Sequence, residues 1–244
     1  MHTVTHANEG VPSDIKFTSA ATNDSFMLNP ATLSKGDIMA MDRAYIDYEN
    51  FEQFTERGVI YVTKMKKNLK YSILSDTMYQ TPDGLMEVRI QDVEFVRHVK
   101  VGETIHHKSR IITYVDVKKH KLISLLTNDM ESDPEEIIAI YSQRWEIELL
   151  FKQIKQNFPL RYFYGESANA IKIQIWVTLI ANLLLMVMQK GLKRQWSFSG
   201  LATMVRINLM YYVDFYSLFN NPEKEWEIIL SEASGSPPVP SLFD

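Results

Sequence analysis

Hydrophobic and polar positions follow two different periods along this chain, and the period separates predicted strands from predicted helices. Short apolar runs, some alternating with polar residues and several bounded by Gly, Pro, Asn or Asp, predict strands, whereas apolar residues recurring every three or four positions predict amphipathic helices. The predicted strands cover residues 2–7, 15–20, 36–42 and 59–64, several short runs within 71–114, and residues 121–127. The predicted helices cover residues 24–28, 48–57, 133–157, 173–188 and 197–220, and residues 234–240 are predicted as a loose tail.

The helix predicted over 133–157 carries two polar stripes. Asp133 can cap its first turn, and Pro134 suits the first helical position. At about 100° per residue, one stripe is charged and bordered by apolar residues on both sides, and the other faces solvent. The charged stripe holds Tyr141, Arg144, Glu148, Lys152 and Lys155. This pattern indicates a groove, although a solvated helix with incidental ion pairs would also produce charged positions at helical spacing.

The charged stripe contains the spacing Tyr-x2-Arg-x3-Glu-x6-Lys, matched at Tyr141, Arg144, Glu148 and Lys155. This spacing, and the surrounding text YSQRWEIELLFKQIKQ, resemble the signature of DDE-type transposases of bacterial insertion sequences, in the Tyr-Arg-Glu-Lys (YREK) branch. Four matched positions within one capped helix are more specific than a short motif alone. The resemblance implies DNA transposition by metal-dependent phosphoryl transfer, with DNA binding, cleavage and strand transfer at transposon ends.

The resemblance also implies an α/β fold. Its core would be ribonuclease-H-like, a mixed sheet with helices, interrupted by a β-rich insertion. The expected divisions are a first part of the core (1–64), the insertion (65–121), a second part of the core with the YREK helix (122–195), and a C-terminal helical segment with its tail (196–244).

Two carboxylates are assigned through the resemblance. Asp42, in the text MDRAYIDY, aligns with the second catalytic acid of the family, usually written Asp-x-Gly-Tyr, with Ala44 in place of the glycine. Glu148 aligns with the third acid. Both are expected to be catalytic and to bind Mg²⁺ or Mn²⁺, since phosphoryl transfer uses metal ions held by hard oxygen ligands. Considered without the family, Asp42 could also be a turn or helix-capping aspartate.

The same resemblance assigns DNA contacts to Tyr141, Arg144 and Lys155, which match the positions that hold phosphates at the transposon end. In the family, the first catalytic aspartate lies on a strand preceding the segment that resembles residues 2–7, and Asp14 follows that segment. We therefore expect an N-terminally truncated and impaired copy that does not itself cleave or join DNA ends. The alternatives are a non-catalytic DNA-binding remnant that interferes with intact transposase, and an unrelated hydrolase using the same carboxylates.

The charge distribution changes along the chain. The net charge of −4 argues mildly against a nucleic-acid partner, but residues 60–121 hold twelve basic and seven acidic side chains. The densest basic runs are residues 64–67 and 118–121. They predict a surface that follows a DNA backbone, or lysines that keep hairpins soluble. Adjacent His106 and His107 show no metal-ligand spacing and are predicted as surface residues.

The expected partner is double-stranded DNA, as transposon ends and target, with a possible homodimer in a synaptic complex. No membrane contact is expected, because residues 173–188 are shorter than the ~20 residues that a bilayer requires and contain polar side chains. That run is predicted as a buried core helix. The chain contains no cysteine, which fits a reducing compartment. The expected localisation is the bacterial cytoplasm, in association with the nucleoid.

Overall fold

The computed structural model describes residues 2–6, 11–17, 32–82, 84–100, 103–116, 120–160, 162–209, 214–224 and 227, and within them the strands and helices follow one another in the order that the residue pattern predicts. The strands are β1 (His2–His6), β2 (Val11–Lys16), β3 (Ile38–Met41), β4 (Ile60–Lys64), β5 (Ser72–Gln80), β6 (Glu87–Lys100), β7 (Glu103–Asp116) and β8 (Lys121–Thr127). The helices are α1 (Tyr48–Glu56), α2 (Pro134–Gln143), α3 (Trp145–Asn157), α4 (Ala168–Gly191), α5 (Phe198–Asn208) and α6 (Phe215–Asn220). The chain divides into two compact units, Met1–Leu150 and Phe151–Asp244.

One sheet of the first unit contains six strands in the order β3-β4-β8-β7-β6-β5. β3 and β4 are parallel and α1 connects them, so the β-α-β unit predicted over 36–64 is present. β4 pairs antiparallel with β8, and the longer strands continue the antiparallel pattern. The strands between residues 72 and 116 therefore extend the sheet that contains β3 and β4 and do not form a separate one.

β1 and β2 form a two-stranded antiparallel pair of their own. β2 begins at Val11, whereas the sequence pattern predicts a strand from residue 15. A register shift between Val4 and Thr5 places Pro12 opposite Thr5, and such an irregularity accommodates a proline that has no N–H to donate. The helix predicted at 24–28 and the tail predicted at 234–240 lie outside the described residues.

α1 packs a pair of phenylalanines into the first unit's core. Asp47 caps the helix by accepting hydrogen bonds from the N–H groups of Glu49 (3.1 Å) and Asn50 (3.4 Å). Phe51 and Phe54 are fully buried, and the Phe51 ring lies parallel to the Tyr61 ring of β4 with centroids 4.0 Å apart. This contact fixes α1 against the sheet directly after the loop that carries Asp42.

A buried polar chain links α1 to β4 and β7. His107 Nδ1 lies 2.6 Å from Glu52 Oε2, and its Nε2 lies 2.6 Å from the Tyr61 hydroxyl. That hydroxyl also lies 2.8 Å from Ser109 Oγ. With neutral His107, every atom is satisfied if Nδ1–H donates to Glu52, the Tyr61 hydroxyl donates to Nε2, and Ser109 donates to Tyr61. The prediction that His106 and His107 are both surface residues is wrong for His107, which is 1% exposed because alternate β7 residues face the core.

The buried His107 is expected to make stability depend on pH. Burial holds its pKa below the usual range, although the Glu52 carboxylate opposes that shift. The unfolded chain therefore binds the proton first, so the stability is complete above the unfolded pKa of about 6.5 and falls as the pH drops below it. Urea denaturation at pH 8, 7, 6 and 5 should show a His107→Gln variant with a flatter profile and a loss of about 1–3 kcal/mol at pH 8. A His106→Gln variant serves as the control, because the His106 side chain is largely exposed. Equal pH profiles for the wild type and His107→Gln would contradict the expectation.

The single helix predicted over 133–157 is divided at Arg144 into α2 and α3. The Arg144 N–H donates to the Tyr141 carbonyl at 3.2 Å, and the Ile147 N–H donates to the Arg144 carbonyl at 3.4 Å. Both bonds span three residues, which is the tighter 3₁₀ pattern and interrupts regular α-helical winding. Pro134 occupies the first position of α2 as predicted. The side chain of Asp133, however, makes no capping bond within the described residues, and its carbonyl accepts the first helical bonds instead.

The second unit is helical within its described part. Ser167 caps α4 and Ser197 caps α5, each accepting a backbone hydrogen bond at 3.1 Å. Leu201 and Phe219 are buried between these helices and α6, and the Trp196 indole N–H donates to the Phe219 carbonyl at 2.8 Å. The predicted helix over 197–220 therefore corresponds to α5 and α6.

α4 is buried on one face only, which corrects the expectation of a core helix. Its buried residues are Thr178, Leu179, Asn182 and Leu185. Large apolar side chains elsewhere on it are exposed, namely Ile173, Trp176, Val177, Ile180, Leu184 and Val187. By length and composition alone, α4 could cross a membrane. Its most apolar stretch of 18 residues has a mean hydropathy of 1.9, and 22% of that stretch is buried. Apolar residues surround most of the helix, so the sequence pattern could not indicate which face would be covered. The expectation of no membrane contact stays a prediction.

Candidate active site

Asp42 lies directly after β3, and its two carboxylate oxygens have different surroundings. Oδ1 accepts a hydrogen bond from the Ala44 N–H at 3.0 Å and thereby caps the short 3₁₀ helix Arg43–Tyr45. Oδ2 lies 4.0 Å from Nη1 of Arg144. The side chain is 48% exposed, so solvent reaches it. Oδ1 therefore acts as a helix cap, which is the alternative role considered for Asp42, whereas Oδ2 faces Arg144.

Arg144 connects Asp42 with Glu148. Its Nη2 donates to Glu148 Oε1 at 2.9 Å, one helical turn further along the chain, while Nη1 faces Asp42. The guanidinium carbon lies 5.5 Å from the centre of the Tyr141 ring, within cation–π range. The Arg144 side chain is only 18% exposed, whereas Glu148 is 43% exposed. A mostly buried cation therefore lies next to two carboxylates that solvent can reach.

Packing of α2 on the sheet explains why these distant residues meet. Asp42 and Glu148 are more than a hundred residues apart in the sequence. α2 contacts both β3 and β4, and its Ile137 is fully buried in the cluster that contains Val62 of β4. Because Arg144 follows the last residue of α2, this packing brings its side chain to the end of β3, where Asp42 lies.

The electrostatic setting favours a neutral tyrosine and a charged arginine. Burial raises the pKa of Tyr141, and the Asp42 charge adds to the rise while Arg144 opposes it. Its hydroxyl therefore stays protonated at neutral pH and can donate a hydrogen bond. Burial also acts to lower the pKa of Arg144, but the hydrogen bond to Glu148 and the neighbouring Tyr141 outweigh that effect and raise it. The guanidinium is therefore always charged.

One atom of Arg144 has no hydrogen-bond partner in the part of the chain that the structure describes. Its Nε is buried, although a guanidinium N–H normally finds an acceptor when water is excluded. Nη1 and Nη2, by contrast, face the two carboxylates. The Arg144 side chain is thus bound through its two terminal nitrogens, Nη1 and Nη2, and not through Nε.

The donor atoms of this site suit a hard divalent cation. Asp42 and Glu148 present carboxylate oxygens, which Mg²⁺ and Mn²⁺ prefer over nitrogen or sulfur donors. Both carboxylates also lie beside the same cationic group, the guanidinium of Arg144. Across the described ranges, no group of three or more His, Cys, Asp or Glu side chains is placed to hold a metal ion. The assignment of Asp42 and Glu148 as metal ligands stays a prediction.

Lys155 lies seven residues after Glu148 on α3 and belongs to the second unit, where its side chain is exposed. Its assignment to phosphate binding stays a prediction. In the basic region, Lys67 and Lys70 are exposed and Lys64 is half-buried. The residues 118–119 of the second basic run lie outside the described residues.

The structural role of Arg144 was not apparent from the sequence. The spacing pattern places it on a continuous charged stripe, whereas it lies at the junction of α2 and α3 and reaches a different strand of the fold. No sequence signal marks this junction, because the segment contains no Gly or Pro between Tyr141 and Glu148. The division of the helix depends on how α2 packs on the sheet.

Comparison with known proteins identifies similar sequences. Residues 1–184 match the family model described as the transposase DDE domain. The chain is 28% identical over 187 residues to a Sinorhizobium fredii (strain NBRC 101917 / NGR234) protein named as transposase y4zB, covering 77% of this chain and 52% of that protein. It is 23% identical over 195 residues to a Geobacillus stearothermophilus protein named as the transposase for insertion sequence element IS5377, covering 80% of this chain and 50% of that protein. The chain thus spans about half the length of the curated relatives it matches.

Proposed function

The chain belongs to the family of DDE transposase domains, and we propose from that premise that it is an impaired member of a group that carries out DNA transposition by metal-dependent phosphoryl transfer. The reaction would comprise DNA binding, cleavage and strand transfer at transposon ends. We assign the chain to the YREK branch, with a ribonuclease-H-like core that includes β3 and β4 and a β-rich insertion formed by β5, β6 and β7. Its partners would be double-stranded DNA, as ends and target, and a second copy in a synaptic complex within the bacterial cytoplasm.

The observation that carries this proposal is the approach of Asp42 and Glu148 to one guanidinium, that of Arg144. Local structure does not require these two residues to meet, because they belong to a strand end and a helix far apart in the sequence. Phosphoryl transfer does require it, because carboxylates from separate segments must converge to hold the metal ions. An ordinary solvated helix stripe would not need an aspartate from the end of β3 beside it.

Asp42 and Glu148 would hold the metal ion. When bound, Mg²⁺ or Mn²⁺ supplies charge stabilisation for the attacking and leaving oxygens of an in-line displacement. Asp42 would offer Oδ2, since its Oδ1 accepts the Ala44 N–H. That bond also keeps the carboxylate in a fixed orientation at the end of β3, which preorganises the site.

Arg144, Tyr141 and Lys155 would bind the DNA phosphates. A guanidinium fork matches the geometry of phosphate oxygens, and Lys155 would add an exposed point charge. Tyr141 keeps its proton at neutral pH and can donate to a phosphate oxygen without repelling it. These three groups would orient the DNA backbone but would not read the base sequence directly.

An alternative function is that of a non-catalytic DNA-binding remnant that interferes with an intact transposase. The finding that favours it is that the described residues place two acidic side chains together and no group of three. A supercoiled plasmid incubated with the purified chain and Mn²⁺ separates the two functions. Nicked or joined products that Glu148→Gln removes would support transposition chemistry. Salt-dependent DNA binding without products would support the alternative, and absence of DNA binding would overturn both.

DNA binding is expected to weaken steeply with salt and to show little sequence preference. If about four phosphates are neutralised, the affinity for a random duplex should fall by roughly two orders of magnitude between 50 and 200 mM salt, because bound counterions are released. Fluorescence anisotropy titrations at several salt concentrations measure the slope. A double variant, Lys67→Gln with Lys70→Gln, should reduce that slope by about two if both contact phosphates.

The control for this titration is Lys193→Gln, which removes an exposed lysine outside the basic region of residues 60–121. It should leave the salt slope unchanged. A flat response to salt in the wild-type chain, or equal slopes for the double variant and the wild type, would favour lysines that only keep the hairpins soluble.

A further inference from the structure

Arg144 occupies the space beside both proposed metal ligands in this structure. Its Nη2 is hydrogen-bonded to Glu148 at 2.9 Å, and its Nη1 is 4.0 Å from Asp42. A guanidinium carries one positive charge and cannot be deprotonated in the physiological range. A divalent cation approaching these carboxylates would therefore meet a like charge that is already paired with them.

We propose that Arg144 is a resident counter-ion, which a divalent cation displaces from Asp42 and Glu148 when it binds. The displaced guanidinium then becomes available to a DNA phosphate. This inference rests on the proposed function, because it takes Asp42 and Glu148 as the metal ligands. It gives Arg144 a second role, in coupling metal occupancy to phosphate binding.

The contacts of Arg144 are suited to displacement. Its fork is divided between two acids, and each acid is contacted by one nitrogen. The Arg89–Asp76 pair of the same sheet shows the opposite arrangement, because Arg89 directs two nitrogens at one carboxylate. Bidentate pairing is the stronger and more specific geometry. The pairing of Arg144 with each acid is therefore geometrically less specific than the pairing of Arg89 with Asp76.

Two further features agree with displacement. The Nε atom of Arg144 is buried without an acceptor in the described residues, so the observed position leaves one of its donors unsatisfied. Asp42 and Glu148 are 48% and 43% exposed, which gives an ion in solution access to their oxygens without unfolding of the site. The arginine can thus exchange partners while the carboxylates stay in place.

The test is a Mn²⁺ titration of the full chain, in which free Mn²⁺ is measured by electron paramagnetic resonance. Arg144→Gln keeps a polar side chain but removes the charge, so its Kd for Mn²⁺ should fall about tenfold, since one nearby like charge is lost. Arg89→Gln is the matched control, because it removes an arginine paired with a single acid, and its Kd should stay within about twofold of the wild type. Added Mn²⁺ should also raise the melting temperature of Arg144→Gln by more than that of the wild type.

A second measurement uses the wild-type chain and does not depend on a variant folding. The ¹⁵Nε–H resonance of Arg144, followed during titration with diamagnetic Mg²⁺, should shift with the same midpoint as Mg²⁺ binding. An Arg144 signal unchanged at saturating Mg²⁺ would overturn the displacement. So would Mn²⁺ binding by Arg144→Gln that is equal to or weaker than that of the wild type, since Arg144 would then support the site.

Failure of this inference and failure of the proposed function give different results. If Asp42→Asn and Glu148→Gln weaken Mn²⁺ binding but Arg144→Gln does not strengthen it, only the counter-ion role is wrong. If Asp42→Asn and Glu148→Gln leave Mn²⁺ binding unchanged in both the wild-type and the Arg144→Gln chain, the metal site itself is wrong. The counter-ion role is then wrong with it.

Discussion

Asp42→Asn is expected to weaken Mn²⁺ binding at least about tenfold, because an amide offers no negative charge to a hard cation and the second ligand cannot compensate. Glu148→Gln is expected to have the same effect. Both substitutions keep the size of the side chain, and the amide that replaces the Asp42 carboxylate could still accept the Ala44 N–H through its carbonyl oxygen. The loss of Mn²⁺ affinity would therefore reflect the missing charge and coordination and not misfolding. Titration of free Mn²⁺ measures it.

The matched control for these variants is Asp76→Asn. Asp76 is also a partly exposed aspartate of the sheet paired with an arginine, and its side chain is 36% exposed. Removing its charge should leave Mn²⁺ affinity unchanged, since it has no second acid assigned to a shared ion. Equal losses in Asp76→Asn and Asp42→Asn would show that Mn²⁺ responds only to the general acidity of the chain.

The largest effect on stability is expected from Phe51→Ala, at about 3–5 kcal/mol of unfolding free energy. Phe51 is fully buried and stacks on Tyr61 with ring centroids 4.0 Å apart, so its removal leaves a cavity between α1 and the sheet. Urea denaturation followed by circular dichroism measures the loss. Because α1 directly follows the loop that carries Asp42, the same variant should also bind Mn²⁺ less tightly when it is partly unfolded.

Ile73→Ala provides the comparison for Phe51→Ala. Ile73 lies on β5 at the far edge of the sheet and is 52% exposed, so its truncation should change stability by no more than about 0.5 kcal/mol. A loss below about 1 kcal/mol for Phe51→Ala would contradict the packing of α1 described above.

Local chemistry made much of the first unit predictable from the sequence. The apolar run before Asp42 is a strand, the Asp47-capped segment that follows it is a helix, and the strand after Gly58 is β4. Gly58 has a φ of +69°, a left-handed conformation in which glycine is unstrained, so the helix ends there as the pattern indicates. These elements depend on neighbours in the sequence, which is why periodicity and turn residues identify them.

Features that depend on tertiary contacts were not predictable. The break at Arg144 follows from packing of α2 on the sheet, and no residue type near it marks a helix end. The burial of His107 depends on which face of β7 is turned inward; alternation along the strand separates the two faces but does not by itself identify the inward one. The exposure of apolar side chains on α4 was not predictable either, because composition describes how apolar a helix is but not what covers it.

The sequence motif named the candidate residues, and the family resemblance implied that Asp42 and Glu148 meet at one metal ion, but neither revealed that Arg144 contacts both carboxylates. Spacing on a helical wheel related Arg144 to Glu148, and the structure agrees through their 2.9 Å hydrogen bond. The approach of Arg144 to Asp42 joins two segments that no local pattern relates. Lys155, further along the same helix, keeps its assigned role as a prediction.

We have proposed that Asp42 and Glu148 together hold the divalent cation used for phosphoryl transfer. Crystals of the chain grown with Mn²⁺ and measured at the manganese absorption edge test it most directly, because anomalous scattering locates the ion without reference to activity. We predict an anomalous peak with an oxygen of Asp42 and an oxygen of Glu148 both within about 2.3 Å, and with the Arg144 guanidinium displaced from them. A peak at other carboxylates, or saturating Mn²⁺ with no peak beside Asp42 and Glu148, would contradict it.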